Sequence, residues 1–171
     1  MTAHPITYLP LPNGAQFIFT PCPGTKESSL EAAVNTLATA GAKAVITVLP
    51  DEEIQTLDVS DLGKQIIHSG MQWFQLPIED DQSPGSLFLS TFSAVKNELV
   101  TLLKNKSTIA IHCRGGSGRT GLLAAILLLE LGVDWRSTKS LVQSARPNAL
   151  TLDTHTHFLE THYAIRTNHD N

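Results

Sequence analysis

Cysteine is scarce in this chain. Only Cys22 and Cys113 occur among 171 residues, too few to staple a domain of that size as a disulfide framework. Basic charge is short as well. Lys and Arg number 12 against 16 Asp and Glu, for a net charge of −4, which excludes the positive field that holds nucleic acid or an anionic membrane non-specifically. The longest apolar run, Leu122 to Leu129, falls far short of a bilayer span. The seven histidines include no i, i+4 pair, and His155 and His162 would stand two helical turns apart, so no metal site is expected. The nucleotide-binding pattern Gly-x4-Gly-Lys-Ser/Thr is missing, as are internal repeats and low-complexity tracts. Met1 to Pro12 is broken by three prolines and does not read as a secretory signal. What remains is one soluble domain with reduced thiols, expected in the cytoplasm and without nucleic acid or membrane as partners.

The pattern of apolar residues then sets the fold class. Residues 1–15 are proline-rich and read as an irregular N-terminal arm, with the domain proper over 16–166 and a short tail over 167–171. Gln16–Thr20, Ala44–Leu49, Met71–Ile78 and Thr108–His112 read as strands. Helical spacing covers Ser29–Ala40, Asp51–His68 in one or two pieces, Ser86–Lys104, a segment reaching Leu131, Asp134–Ala145 and Asp153–Ile165. Strands alternating with helices predict a single α/β domain around a mostly parallel central sheet. In such sheets the ligand sits at the carboxyl ends of the strands.

One stretch carries the chemistry. Residues 112–121 read His-Cys-Arg-Gly-Gly-Ser-Gly-Arg-Thr-Gly, between an apolar strand and a long apolar helix. Strand, glycine loop and helix in that order form an anion cradle of backbone N–H groups, to which the helix adds its positive end. Arg114, Gly115, Gly116, Ser117, Gly118 and Arg119 are therefore expected to bind the substrate phosphate. Cys113 in that cradle is a thiolate nucleophile aimed at phosphorus. Arg119 has the fork that grips two phosphoryl oxygens, which lysine lacks. The Thr120 hydroxyl can donate to the sulfur and ease its expulsion in a second step.

A departing phenolate or alkoxide needs a proton. Asp80, with Asp81 as the alternative, lies in a Pro/Gly turn after a strand and is the candidate acid. His112 sits at a strand end, where a buried structural hydrogen-bonding role outweighs that of a base. Cys22, between two prolines, reads as an inert loop cysteine.

The segment 112–121 matches the His-Cys-x5-Arg-Ser/Thr signature, and the chain resembles the cysteine-dependent protein tyrosine phosphatase superfamily. Within it the chain is similar to the dual-specificity branch, and to its kinase-associated phosphatase family in particular. The resemblance runs from about Gly14 to Tyr163 and includes Pro21–Lys26, Leu76–Asp80 and Ala149-Leu150. It implies a protein tyrosine phosphatase-like fold and no cofactor. It also implies Cys113 as nucleophile, Arg119 as phosphate clamp, Thr120 as the assisting hydroxyl and Asp80 as general acid. In that branch a glutamine near the start of the last helix helps position the hydrolytic water; His155 is the nearest match here.

The expected activity is hydrolysis of phosphotyrosine, with phosphoserine and phosphothreonine in range, on a phosphorylated protein or peptide. Three alternatives use the same loop. One is a phosphatase of phosphoinositides, RNA 5′-phosphates or small esters, for which Arg114 offers a second cation. Another is a catalytically silent phospho-binding module, against which Cys113, Arg119, Thr120 and a candidate acid all speak. The last is sulfur transfer of the rhodanese kind, whose loop is usually one residue shorter before the arginine.

Overall fold

The computed structural model describes residues 3–165. Five strands form one sheet: β1 (Thr7–Pro10), β2 (Gln16–Thr20), β3 (Ala42–Thr47), β4 (Gln72–Gln75) and β5 (Thr108–His112), in the order β1-β2-β5-β3-β4. All neighbours run parallel except β1, which pairs antiparallel with β2. The helices are α1 (Leu30–Thr39), α2 (Asp51–Thr56), α3 (Leu62–His68), α4 (Ser86–Lys104), α5 (Gly118–Glu130), α6 (Trp135–Ala145) and α7 (Asp153–Tyr163).

Chain direction explains how the helices divide. From β2 through α1 to β3, and on through α2 and α3 to β4, the chain steps one way across the sheet. From β4 through α4 to β5 it steps back. Because parallel crossovers are right-handed, reversing the step moves the helices to the opposite face. Accordingly α1 and α3 pack on each other and on β3 and β4, while α4, α5, α6 and α7 group around β5 and β1. The middle strand β5 is flanked by parallel neighbours on both sides, which suits its continuous apolar run, Ile109-Ala110-Ile111.

The N-terminal residues do not form an irregular arm. Thr7–Pro10 add a fifth strand, and Leu9 and Leu11 are buried. Proline is tolerated there because β1 is an edge strand. The turn that joins it to β2 is built by Asn13, whose Oδ1 accepts from the Ala15 N–H at 2.9 Å, and by Gly14 at φ +96°. The prolines masked a strand whose short alternation, Tyr8 out and Leu9 in, was there to be read. Strand β4 is also shorter than the expected 71–78, since Pro77 cannot donate to a ladder. The tail over 167–171 lies outside the described residues.

Helix α5 is apolar nearly all round, and Leu122 through Leu128 are fully buried, as a helix enclosed between a sheet and other helices must be. The close approach needs Gly121, where an added Cβ would stand 2.5 Å from the Ala149 Cβ and 3.2 Å from Val142. Gly121→Ala should therefore lower stability by about 1–3 kcal/mol through overpacking, read as a fall in the thermal midpoint. An unchanged midpoint would show that this contact yields freely.

Candidate active site

Strand β5 ends at His112 and helix α5 begins at Gly118, so the loop between them closes over the carboxyl end of the sheet's middle strand. Cys113 lies at its base, 4% exposed. Its sulfur accepts two hydrogen bonds of 3.3 Å, one from the Gly116 N–H and one from the Thr120 hydroxyl. Both donors stabilise negative charge on sulfur. Gly116 is at φ +83°, and a Cβ there would meet the Thr20 carbonyl oxygen at 2.5 Å. Only glycine fits that turn.

A cavity of about 220 Å³ opens above the sulfur, lined by Cys113, Arg114, Gly115, Ser117, Gly118 and Arg119 on the loop side. Asp80, Asp81, Leu152 and His155 close the other side. Of the expected phosphate-binding residues, Gly116 alone is missing from this lining. Its amide serves the sulfur instead.

Arg119 is 3% exposed, and its charge is balanced by a carboxylate that the sequence reading missed. Glu53, on α2, accepts from Nη1 at 2.7 Å and from Nη2 at 2.8 Å, and the Ile78 carbonyl accepts from Nη1 at 3.0 Å. Burial opposes the charge on Arg119, but Glu53, Cys113 and Asp80 outweigh it and raise its proton affinity. The same hydrogen bonds hold the Glu53 carboxyl below its ordinary range. Donor counting shows the consequence. With Nη1 fully used, the Nε–H and the second Nη2 proton form the edge left for an anion. Glu53 was hidden in the acidic run Asp51-Glu52-Glu53, which reads as an ordinary helix start.

A second support lies behind the loop. Arg146 donates through Nε to the Gly116 carbonyl at 2.8 Å and through Nη1 to Thr7 Oγ1 at 3.0 Å, with its guanidinium over the Phe19 ring. Nothing local in the sequence marks it. The β1 strand thus reaches the site, through one arginine.

His112 is fully buried and takes the structural role expected of it. The Trp73 indole can only donate, and does so to Thr47 Oγ1 at 2.8 Å. The Thr47 proton then goes to His112 Nε2, 2.7 Å away, leaving Nδ1–H to donate to the Cys113 carbonyl at 2.9 Å. That chain fixes the tautomer and the backbone under the nucleophile. Burial, the dominant cause, pushes the imidazole down to about 4.

Asp80 places Oδ1 3.5 Å from Arg119 Nη2 with its side chain largely exposed. Asp81 adopts φ +61°, and its carbonyl accepts from Thr154 Oγ1 at 3.0 Å, tying the acid turn to the start of α7. Cys22 is buried and its thiol is pushed up to about 12, first by burial and then by the neighbouring Cys113 and Glu53. It is unreactive in this state.

An anion cradle with a thiol at its floor, at the end of a parallel strand, defines a cysteine-dependent phosphatase domain. Residues 23–169 match the family model described as PTP-SAK, Swiss Army Knife protein, DSP-PTPase phosphatase domain, and the chain belongs to that family. A rat relative, cyclin-dependent kinase inhibitor 3, is 30% identical over 148 residues, 82% of this chain and 68% of the relative. A probable protein tyrosine phosphatase type IVA B from Dictyostelium discoideum is 31% identical over 85 residues, 49% of this chain and 52% of that protein. The fold is that of kinase associated phosphatase, solved with its catalytic cysteine replaced by serine. That structure superimposes with a TM-score of 0.81 at 22% identity, covering 96% of this chain and 97% of that one. No helix among the described residues is long and apolar enough to cross a membrane.

Two outcomes check this geometry. Glu53→Gln should leave the fold intact but lower kcat/KM by about ten- to a hundredfold, by loosening the Arg119 fork. Unchanged kinetics would remove Glu53 from the site. The unfolded chain protonates His112 near the ordinary 6.5 and the folded chain only near 4. Its contribution is thus fully present above about pH 6.5 and is lost as pH falls towards 4, on the order of 3 kcal/mol. Urea denaturation at pH 7 and pH 5 reads this as a fall in midpoint that His112→Asn should flatten. A wild-type midpoint that does not move would contradict it.

Proposed function

We propose that this phosphatase hydrolyses phosphate esters on proteins through a phosphocysteine at Cys113. The observation that carries the reading is the sulfur itself, buried at the floor of the cavity with two donors on it and the Arg119 edge beside it. In the first step the thiolate attacks phosphorus, the S–P bond forms and the P–O bond to the side chain breaks. Arg119 and the loop amides follow the negative charge through the transition state. Asp80, at the cavity mouth where the leaving oxygen departs, supplies its proton. In the second step water attacks the phosphocysteine, its proton returns to the Asp80 carboxylate, and the S–P bond breaks with Thr120 and the Gly116 amide receiving the sulfur as it regains its electron pair.

Support for a phosphoprotein substrate comes from the relatives, one named for cyclin-dependent kinase inhibition and another for protein tyrosine phosphatase activity. The cavity has a single arginine fork and one loop cation, Arg114, which suits a monoester better than a multiply phosphorylated lipid. Two free thiols suit a reducing compartment such as the cytoplasm.

Phosphate release from phosphotyrosine and phosphothreonine peptides tests the reading. Wild type should turn both over, and Cys113→Ser should fall to background while still binding phosphate esters. Asp80→Ala should slow release most for poor leaving groups, by about a hundredfold or more. Equal losses for good and poor leaving groups would exclude Asp80 as the acid. Turnover of phosphoinositides in preference to both peptides would overturn the substrate class.

A further inference from the structure

The cavity over Cys113 has a neighbour. An open groove of about 390 Å³ lies between the start of α2, the segment after β4 and the first turns of α4. Pro50, Pro77 and Leu87 line it, and Leu87 is 63% exposed, the most exposed large apolar side chain among the described residues. Together they make an apolar floor open to water, of the kind that a binding partner covers. The rim is acidic. Asp51, Glu52 and Glu79 line it with no Lys, Arg or His among them. Glu52 and Glu79 form no ion pair among the described residues. Asp51 is held in place by Gln75, whose side-chain amide donates to its Oδ1 at 2.8 Å and to the Leu49 carbonyl at 3.0 Å.

The groove adjoins the phosphate site. Glu79 precedes Asp80, which lines the cavity, and Glu52 precedes Glu53, which holds Arg119. Consecutive Cα atoms stand about 3.8 Å apart, and an extended peptide advances about 3.3–3.6 Å per residue. A chain whose phosphorylated residue enters the cavity therefore reaches the groove within a few positions. We infer that this groove reads the sequence beside the phosphorylated residue, and that its occupant is an arginine or lysine side chain of the substrate. The inference rests on the phosphoprotein reading above. A long basic side chain matches both features of the groove. Its methylene stem lies on Pro50, Pro77 and Leu87, and its charged head reaches the carboxylates of the rim. Aspartate or glutamate would meet like charge there, and a wholly apolar side chain would cover the floor but gain nothing from the rim. The substrate segment is thus one that carries a phosphate for the cradle and a basic residue close beside it.

Phosphotyrosine peptides that differ at a single position test this, with Arg, Ala or Glu placed in turn at each of the nearest positions on either side. At the position that reaches the groove, Arg should raise kcat/KM about tenfold over Glu, and the ratio should shrink as salt is added, because the pairs are exposed. In the double variant Glu52→Lys, Glu79→Lys the order should reverse. Dividing each value by kcat/KM for p-nitrophenyl phosphate, which has no flanking residue, removes any general loss of activity. The wild-type comparison stands even if the variant does not fold. Equal rates for Arg and Glu at every position, a preference for Glu, or a preference for Arg that the double variant keeps would each overturn the proposal. Fluorescence anisotropy of labelled peptides on Cys113→Ser reads the same preference without turnover, and the Arg peptide should again bind about tenfold more tightly. Hydrolysis of p-nitrophenyl phosphate that survives Cys113→Ser would overturn the nucleophile reading and leave the groove standing.

Discussion

A permanent cation buried at the start of a helix is the constraint around which this site is built. Arg119 cannot shed its proton, so its burial must be offset by fixed negative charge and acceptors. Glu53 and the Ile78 carbonyl provide the fixed share, one from α2 just after β3 and the other from the segment just after β4. Cys113 and Asp80 add the remaining share. The free edge of the guanidinium, on the cavity wall, is the feature on which the proposed phosphate binding rests.

The scaffold serves that arrangement by rigidity. Helix α5 is locked by its apolar surface and by the tight Gly121 contact, so its N-terminal end is held over the cavity. Beneath the loop, the chain from Trp73 through Thr47 and His112 fixes the Cys113 carbonyl. Behind it, Arg146 fixes the Gly116 carbonyl. Three elements distant in sequence thus hold one short loop. A loop supported in this way has its N–H groups oriented before the anion arrives, and the cost of reorganisation during reaction falls accordingly.

The loop and its flanking elements were legible from local sequence. Thr108–His112 and Ser86–Lys104 end where the apolar pattern ends, because strand and helix periodicity are properties of contiguous residues. Residues 112–121 were legible for the same reason, since spacing within one loop fixes which groups face inward. Thr7–Pro10 were obscured because prolines at an edge strand look like loop. Glu53 and Arg146 were not legible at all. Each acts across the sheet on a loop more than 25 residues away, and charged residues on helices ordinarily face solvent. Leu152 carries no signal either. His155 was visible as a family position filled by a different residue, but its burial and its place on the cavity wall are tertiary facts.

The proposed phosphocysteine is a covalent intermediate on one named atom, the Cys113 sulfur. Mass spectrometry of enzyme quenched in acid during turnover of a phosphotyrosine peptide tests it directly. A phosphate adduct is expected on the proteolytic fragment containing Cys113 and not in the Cys113→Ser enzyme. An adduct located on another residue during steady turnover would contradict it.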